Sequence, residues 1–159
     1  MNKRRPRKLI GRVEKISFPT LDVLNIPARI DTGAKTSTIW VSNLRIDEES
    51  RLTFNFFGRT SPFYQKKKII KRSYSKTAVA SSMGAIQTRY KVRFLIKIEG
   101  KKIRASFTLA DRSQQVYPIL IGRNILRGKF IVDVKKGQPL KLEEKIRSSR
   151  LRSHLKASK

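Results

Sequence analysis

The sequence predicts an all-β fold: a small closed barrel with one short helix near the C-terminal end of its core. The strongest observation is the stretch TRYKVRFLIKIEG. There Thr88, Tyr90, Val92, Phe94, Ile96 and Ile98 alternate with Arg89, Lys91, Arg93, Leu95, Lys97 and Glu99. A period of two marks a strand with one buried face, and a helix does not produce it. After the turn EGKK the alternation resumes, with Ile103, Ala105, Phe107 and Leu109 set against Arg104, Ser106 and Thr108. Two such runs around a short Gly-containing turn make a β-hairpin. The second observation is a series of further short, strand-like runs, with only RNILRG (123–128) reading as a helix or turn between strands.

Taken in order, strands are expected at 8–16, 21–30, 37–46 and 51–57, then the hairpin, then 118–121 and 129–134. The stretch SYSKTAVASSMGAIQ (73–87) is small and polar around one glycine and reads as a mobile hairpin or loop. Basic residues concentrate in MNKRRPRK, in QKKKIIKR (65–72) and in 135–159. The expected organisation is a basic N-terminal arm at 1–8, a folded domain at 9–134 and a basic C-terminal tail at 135–159. That tail reads as solvated or disordered. Leu142/Ile146 and Leu151/Leu155 have helical spacing, enough for only a weak basic helix.

The composition narrows the function. With 159 residues the chain fits one domain, and 38 Lys and Arg against 11 acidic residues give a formal charge of +27. Such a charge attracts polyanions and says little about fold. There is no cysteine and a single histidine, His154, placed in the tail where an exposed imidazole is expected. Catalytic zinc takes three protein ligands, commonly from a His-Glu-x-x-His helix, so no metal is expected. No Gly-x-x-x-x-Gly-Lys-Ser/Thr loop for ATP occurs, and no other cofactor is indicated. The basic start lacks the apolar run of a signal peptide, and no segment has the length of a membrane span. The expectation is therefore a soluble cytoplasmic protein.

The candidate chemistry lies in NIPARIDTGAKTS. Asp31 ends an apolar run and stands directly before Thr32 and Gly33. On a strand, Ala28 and Ile30 face one way and Arg29 and Asp31 the other. Gly33 permits a sharp turn that exposes backbone amides near the carboxylate, and Thr32 brings a hydroxyl to the same turn. Asp-Thr-Gly alone also fits a plain turn capping a strand. A second element changes that reading: YPILIGRNIL (117–126) is an apolar strand entering Gly122, Arg123 and Asn124.

An Asp-Thr-Gly-Ala after an apolar strand, followed some ninety residues later by Ile-Leu-Ile-Gly-Arg-Asn-Ile-Leu, resembles the retropepsin pattern of aspartic peptidases. More narrowly, LIGRVEKISFPTL, IPARIDTGAKTS and FTLADRSQQVYPILIGRNILRGKFIVD resemble a bacterial family often labelled ATP-dependent zinc proteases but grouped structurally with retropepsin-like aspartic peptidases. The resemblance covers about residues 9–134. It implies an acid-protease barrel in which Asp31 is catalytic and Thr32, Gly33 and Ala34 support the active-site turn. It further implies that Ser81, Ser82, Met83, Gly84 and Ala85 form a flap over the substrate, and that Gly122, Arg123 and Asn124 form the structural motif. Only one Asp-Thr-Gly is present, so the resemblance implies a homodimer in which two Asp31 carboxylates share a proton and activate water.

The chain departs from the pattern at Lys35, where retropepsins usually carry an acid that helps pair the Arg of the Gly-Arg motif. Arg123 is then expected to be a structural ion-pair residue with another partner, Asp111 or Asp133. Lys35 reads as a solvated lysine or a substrate contact, and Trp40 as core or interface. The leading function is an aspartic endopeptidase acting on peptide or protein, with the charge favouring acidic or glutamate-rich sequences. Members of the resembling family are associated with an enzyme that adds glutamate tails to a ribosomal protein, which agrees with that preference. A second reading is a non-catalytic module that binds nucleic acid or the ribosome through the basic clusters. A third is an inactive protease fold that binds peptides.

Overall fold

The computed structural model describes residues 5–81 and 83–158. Its strands are β1 (Lys8–Ile10), β2 (Val13–Phe18), β3 (Val23–Ile30), β4 (Ser37–Ile46), β5 (Leu52–Phe56), β6 (Lys68–Lys71), β7 (Ser75–Ala80), β8 (Ile86–Ile98), β9 (Lys101–Ala110), β10 (Ile119–Ile121) and β11 (Phe130–Val132). Two helices join them, α1 (Arg123–Leu126) and α2 (Lys141–Ala157).

Six strands close on themselves in the order β10-β3-β2-β8-β9-β4, and β4 pairs back to β10 to complete the ring. Closure leaves the ring with no edge strand. β5 and β6 extend the sheet from β4, and among the described residues β7 pairs only with β8. The alternating hairpin is the longest ladder, running from Lys91 opposite Thr108 to Ile98 opposite Lys101. Its inward residues Val92, Phe94, Ile96, Ile98, Ile103, Ala105, Phe107 and Leu109 are all buried.

Aromatic side chains fill the core. Phe18 lies 4.9 Å from Phe56 and 5.6 Å from Phe94, ring centre to ring centre, and Phe94 lies 5.2 Å from Phe56. Tilted and edge-on rings at these separations add to the hydrophobic gain of burial. Trp40 is also buried, consistent with the core side of its expectation.

The run 8–16 was expected as one strand but breaks at Gly11 and Arg12. The cause is a crossing chain: a Cβ on Gly11 would sit 2.1 Å from the backbone nitrogen of Gly137. Residues 133–140 form a strap over this point. The Arg12 N–H donates to the Lys136 carbonyl (2.9 Å) and the Gln138 N–H to the Val13 carbonyl (2.9 Å). Under the strap, buried Glu14 accepts the Gly11 N–H at 2.6 Å, and burial pushes its carboxyl above the ordinary range.

The C-terminal stretch, expected as solvated or disordered, is solvated but helical. Residues 141–157 form a helix with no buried residue. Its first turn is tied to the barrel by Glu144, which accepts both Arg12 guanidinium nitrogens (2.9 and 3.0 Å) and the Tyr117 hydroxyl (2.6 Å). Tyr117 Oη in turn accepts the Leu140 N–H at 2.9 Å. One turn further on, Arg147 reaches Gln115 Oε1 at 3.0 Å. Beyond that the helix projects with His154 exposed.

Candidate active site

Asp31 follows β3 without a break, and its N–H donates to the Ile121 carbonyl (2.9 Å), stapling the turn to the end of β10. β10 is wedged between two strands. Ile119 stands opposite Ala28 in a parallel pairing and opposite Ile39 in an antiparallel one. This wedge brings Gly122 against the loop that carries Asp31, although the two lie far apart in sequence.

The carboxylate is fixed on one side. Its Oδ1 accepts the Gly33 N–H at 3.0 Å and the Ala34 N–H at 3.1 Å. Its Oδ2 accepts no hydrogen bond among the described residues, so one oxygen is held and the other is offered. Asp31 is half-buried, while Thr32, Gly33 and Lys35 are exposed. Two backbone amides are aimed at one oxygen and leave the other unsatisfied.

The Gly122-Arg123-Asn124 motif acts as a clamp behind the turn. The Arg123 N–H donates to the Ala34 carbonyl at 2.8 Å, and the Gly122 N–H to Ser37 Oγ at 2.9 Å. Asn124 Oδ1 accepts from both the Ser37 N–H (2.9 Å) and the Ser37 hydroxyl (2.7 Å), while its amide donates to the Ser106 carbonyl (2.8 Å). Beneath them the buried hydroxyls of Thr38 and Thr108 bond at 2.8 Å. The expectation for Arg123 is corrected here. Among the described residues neither Asp111 nor Asp133 pairs with it, because each carboxylate caps its own turn, at Ser113 and Lys135. The Arg123 side chain is exposed, and the backbone of this residue makes the contact with the active-site loop.

The stretch 73–87 is resolved into a hairpin, with Ser75 to Ala80 facing Lys91 to Ile86. At its tip the Ser81 N–H donates to the Ala85 carbonyl (2.8 Å), and Gly84 takes a φ of 81° that suits glycine. Met83 and Ile86 stand exposed at the tip. Ser82 lies outside the described residues.

Sequence reasoning missed Arg112, which follows the end of β9 and donates from Nε to the Tyr117 carbonyl at 3.1 Å. Burial, reinforced by the like charges of Arg89 and Arg29, pushes its guanidinium down to about 10, while Asp31 opposes the shift. Arg112 remains cationic at neutral pH and shares a field with Asp31, Arg29, Arg89 and Arg147. Its only trace in the sequence is an arginine just past the end of an alternating strand. Among the described residues no three His, Cys, Asp or Glu side chains gather as a metal site.

A closed six-stranded barrel that sets one Asp-Thr-Gly turn against an Ile-Leu-Ile-Gly-Arg strand defines the retropepsin-like class of fold. A family description, "Retropepsin-like aspartic endopeptidase RimB", matches residues 9–140. The chain belongs to this RimB-like family. It is 35% identical over 130 residues to a Shewanella halifaxensis protein named "Probable alpha-L-glutamate ligase", covering 79% of this chain and 28% of that protein. A protein of the same name from Desulfotalea psychrophila is 32% identical over 135 residues, covering 80% and 28%. The chain thus spans about 28% of the length of these relatives. A Legionella pneumophila protein of unknown function shares the fold, with a TM-score of 0.55 at 21% identity, covering 82% of this chain and 96% of that one.

Proposed function

We propose that the protein is an aspartic endopeptidase whose catalytic centre forms when Asp31 meets Asp31 of a second copy across a two-fold axis, and that it cleaves acidic, glutamate-rich peptides. The observation that carries the reading is the one-sided fixing of Asp31, with Oδ1 held by two amides and Oδ2 offered. One carboxylate cannot serve as base and acid in the same step. Two carboxylates about 3 Å apart share a single proton, so the ionised one draws a proton from the attacking water and the protonated one donates to the substrate carbonyl. An isologous dimer supplies that second carboxylate at no cost in new sequence.

In that dimer the exposed Thr32 and Gly33 meet their counterparts, and the β7–β8 hairpin lies over the bound peptide. Its exposed Met83 and Ile86 are apolar side chains suited to excluding water from the site. The substrate class is supported by the arginines around Asp31, above all the partly buried Arg112, which favour carboxylate side chains beside the scissile bond. The name of the relatives, a glutamate ligase, agrees with a glutamate-bearing substrate.

The test is cleavage of glutamate-rich peptides by wild type and Asp31→Asn from acid to neutral pH, with mass followed by sedimentation. Cleavage by a wild-type dimer, reduced by about 10²-fold or more in the isosteric variant, is expected. Equal cleavage by both proteins, or none at any pH, would overturn the assignment.

A further inference from the structure

The fold and the proposed chemistry leave a second basic surface unused. A groove of about 1220 Å³ runs between the N-terminal arm and the far end of the β8–β9 hairpin. Arg5 and Arg7 line one wall, Lys97, Lys102 and Arg104 the other, with Lys129 beside them. From Thr108, on the active-site side, to Lys102 is six residues of strand, or roughly 20 Å. Lys101 is spent on structure: its Nζ donates to the Pro6 carbonyl at 2.9 Å and helps hold the arm in place. The other six cations make no ion pair among the described residues. The groove lining contains no acid.

We propose that this groove binds the sugar–phosphate backbone of nucleic acid without selecting bases. Two features favour that occupant. Lys97 and Lys102 stand directly opposite each other across the hairpin, a like-charge pairing that destabilises a sheet unless an anion sits over it. The groove offers side-chain charge, which suits phosphates, and its guanidinium groups can bind them in bidentate fashion. A membrane surface is flat and is gripped by apolar anchors. This site is concave, and Ile103, the one large apolar residue of its lining, is buried. Phe130, behind Lys101, is buried too, so no exposed ring is offered for base stacking and sequence preference should be weak.

The experiment uses the full chain and fluorescein-labelled oligomers of about 15 nucleotides, oligo-uridine RNA and oligo-thymidine DNA, read by anisotropy across a salt series. Six free cations limit the slope of log K against log salt to about −4 for a single strand. Lys102→Glu/Arg104→Glu should weaken binding at least about tenfold and flatten the slope by more than one, while Arg150→Glu/Arg152→Glu on α2 should change it by less than about threefold. Asp31→Asn should bind as wild type does, which separates this site from the proposed peptidase. Arg5→Ala/Arg7→Ala gives the same reading should the hairpin variant fail to fold. Unchanged binding in the groove variants would overturn the proposal. So would an equal loss in the α2 variant, or displacement of the RNA by an equally charged polyglutamate or by phosphatidylserine vesicles.

Discussion

Replacing Gly122 with alanine tests whether the clamp behind Asp31 depends on close backbone approach. The backbone at Gly122 is extended, with φ of −96° and ψ of −175°, so any residue can adopt it and only space is at issue. A Cβ there would lie 2.7 Å from the Thr36 carbonyl oxygen and 2.8 Å from that of Ala34. Both are main-chain atoms that cannot swing aside as a side chain would. Restoring ordinary contact requires the loop to retreat by roughly 0.6 Å. The retreat stretches the Arg123 N–H bond to the Ala34 carbonyl, now 2.8 Å, and the Gly122 bond to Ser37 Oγ, now 2.9 Å. Overpacking costs about 1–3 kcal/mol, and a weakened hydrogen bond adds about 1. Urea unfolding followed by fluorescence of buried Trp40 should therefore show a loss of about 2–4 kcal/mol. Peptide cleavage should fall by about 10- to 100-fold, because the displaced loop carries the carboxylate. A variant within about 0.5 kcal/mol of wild type and fully active would refute the clamp argument.

Asn124→Ala removes the acceptor for Ser37 N–H and hydroxyl and the donor to the Ser106 carbonyl; a loss of about 1–3 kcal/mol is expected by the same urea assay. Cleavage by that variant should fall as well, since Ser37 Oγ also receives the Gly122 N–H. A third prediction concerns pH. The Arg12 guanidinium, aided by the Tyr117 hydroxyl, holds the Glu144 carboxyl below its usual range. A depressed carboxylate stabilises the folded state above its unfolded value and loses that contribution as pH falls through the folded one. Anchoring of α2 should accordingly be intact at pH 7 and weaken below about pH 4. Its size is near 1 kcal/mol, discounted because Arg12 remains 43% exposed. The helical signal at 222 nm, to which α2 is the main contributor, should drop in that window and drop at higher pH in Tyr117→Phe; a flat signal in both proteins would count against the anchor.

The parts of this fold written as local periodicity could be read from sequence. The β8–β9 hairpin is the clearest case, because alternation fixes both strand type and which side chains enter the core. Asp31 and Gly122 were visible as motifs, and the wedge of β10 between β3 and β4 explains why two short segments so far apart carry one site. What escaped depends on long-range contacts. The break at Gly11 comes from a chain segment more than a hundred residues away, and nothing between residues 8 and 16 announces it. β6 has the sequence KIIK within a run of lysines, so its single buried residue, Ile69, was hidden by charge. α2 is polar on nearly every side and is fixed through Glu144, a contact that leaves no periodic trace. Arg112 belongs to the same group, since its importance lies in which charges the fold places around it.

The rigidity of the Asp31 turn and the sparse anchoring of what surrounds it point to a division of labour. Backbone and side-chain hydrogen bonds from residues 34, 37, 106 and 121–124 converge behind the carboxylate. The elements facing outward from it are held by little: β7 has one strand partner, and α2 is tied to the barrel only along its first two turns. In the proposed dimer, a carboxylate whose partner arrives on another subunit must already be in position, because each subunit can correct only its own half. On the proposed reading, the parts that admit and cover a peptide must move. With +27 on each copy, bringing two chains together works against strong repulsion, which salt and bound anions screen. In the proposed peptidase, an acidic substrate lying between the arginines of both subunits would therefore do two things at once, supplying the bond to be cut and neutralising the charge that keeps the halves apart.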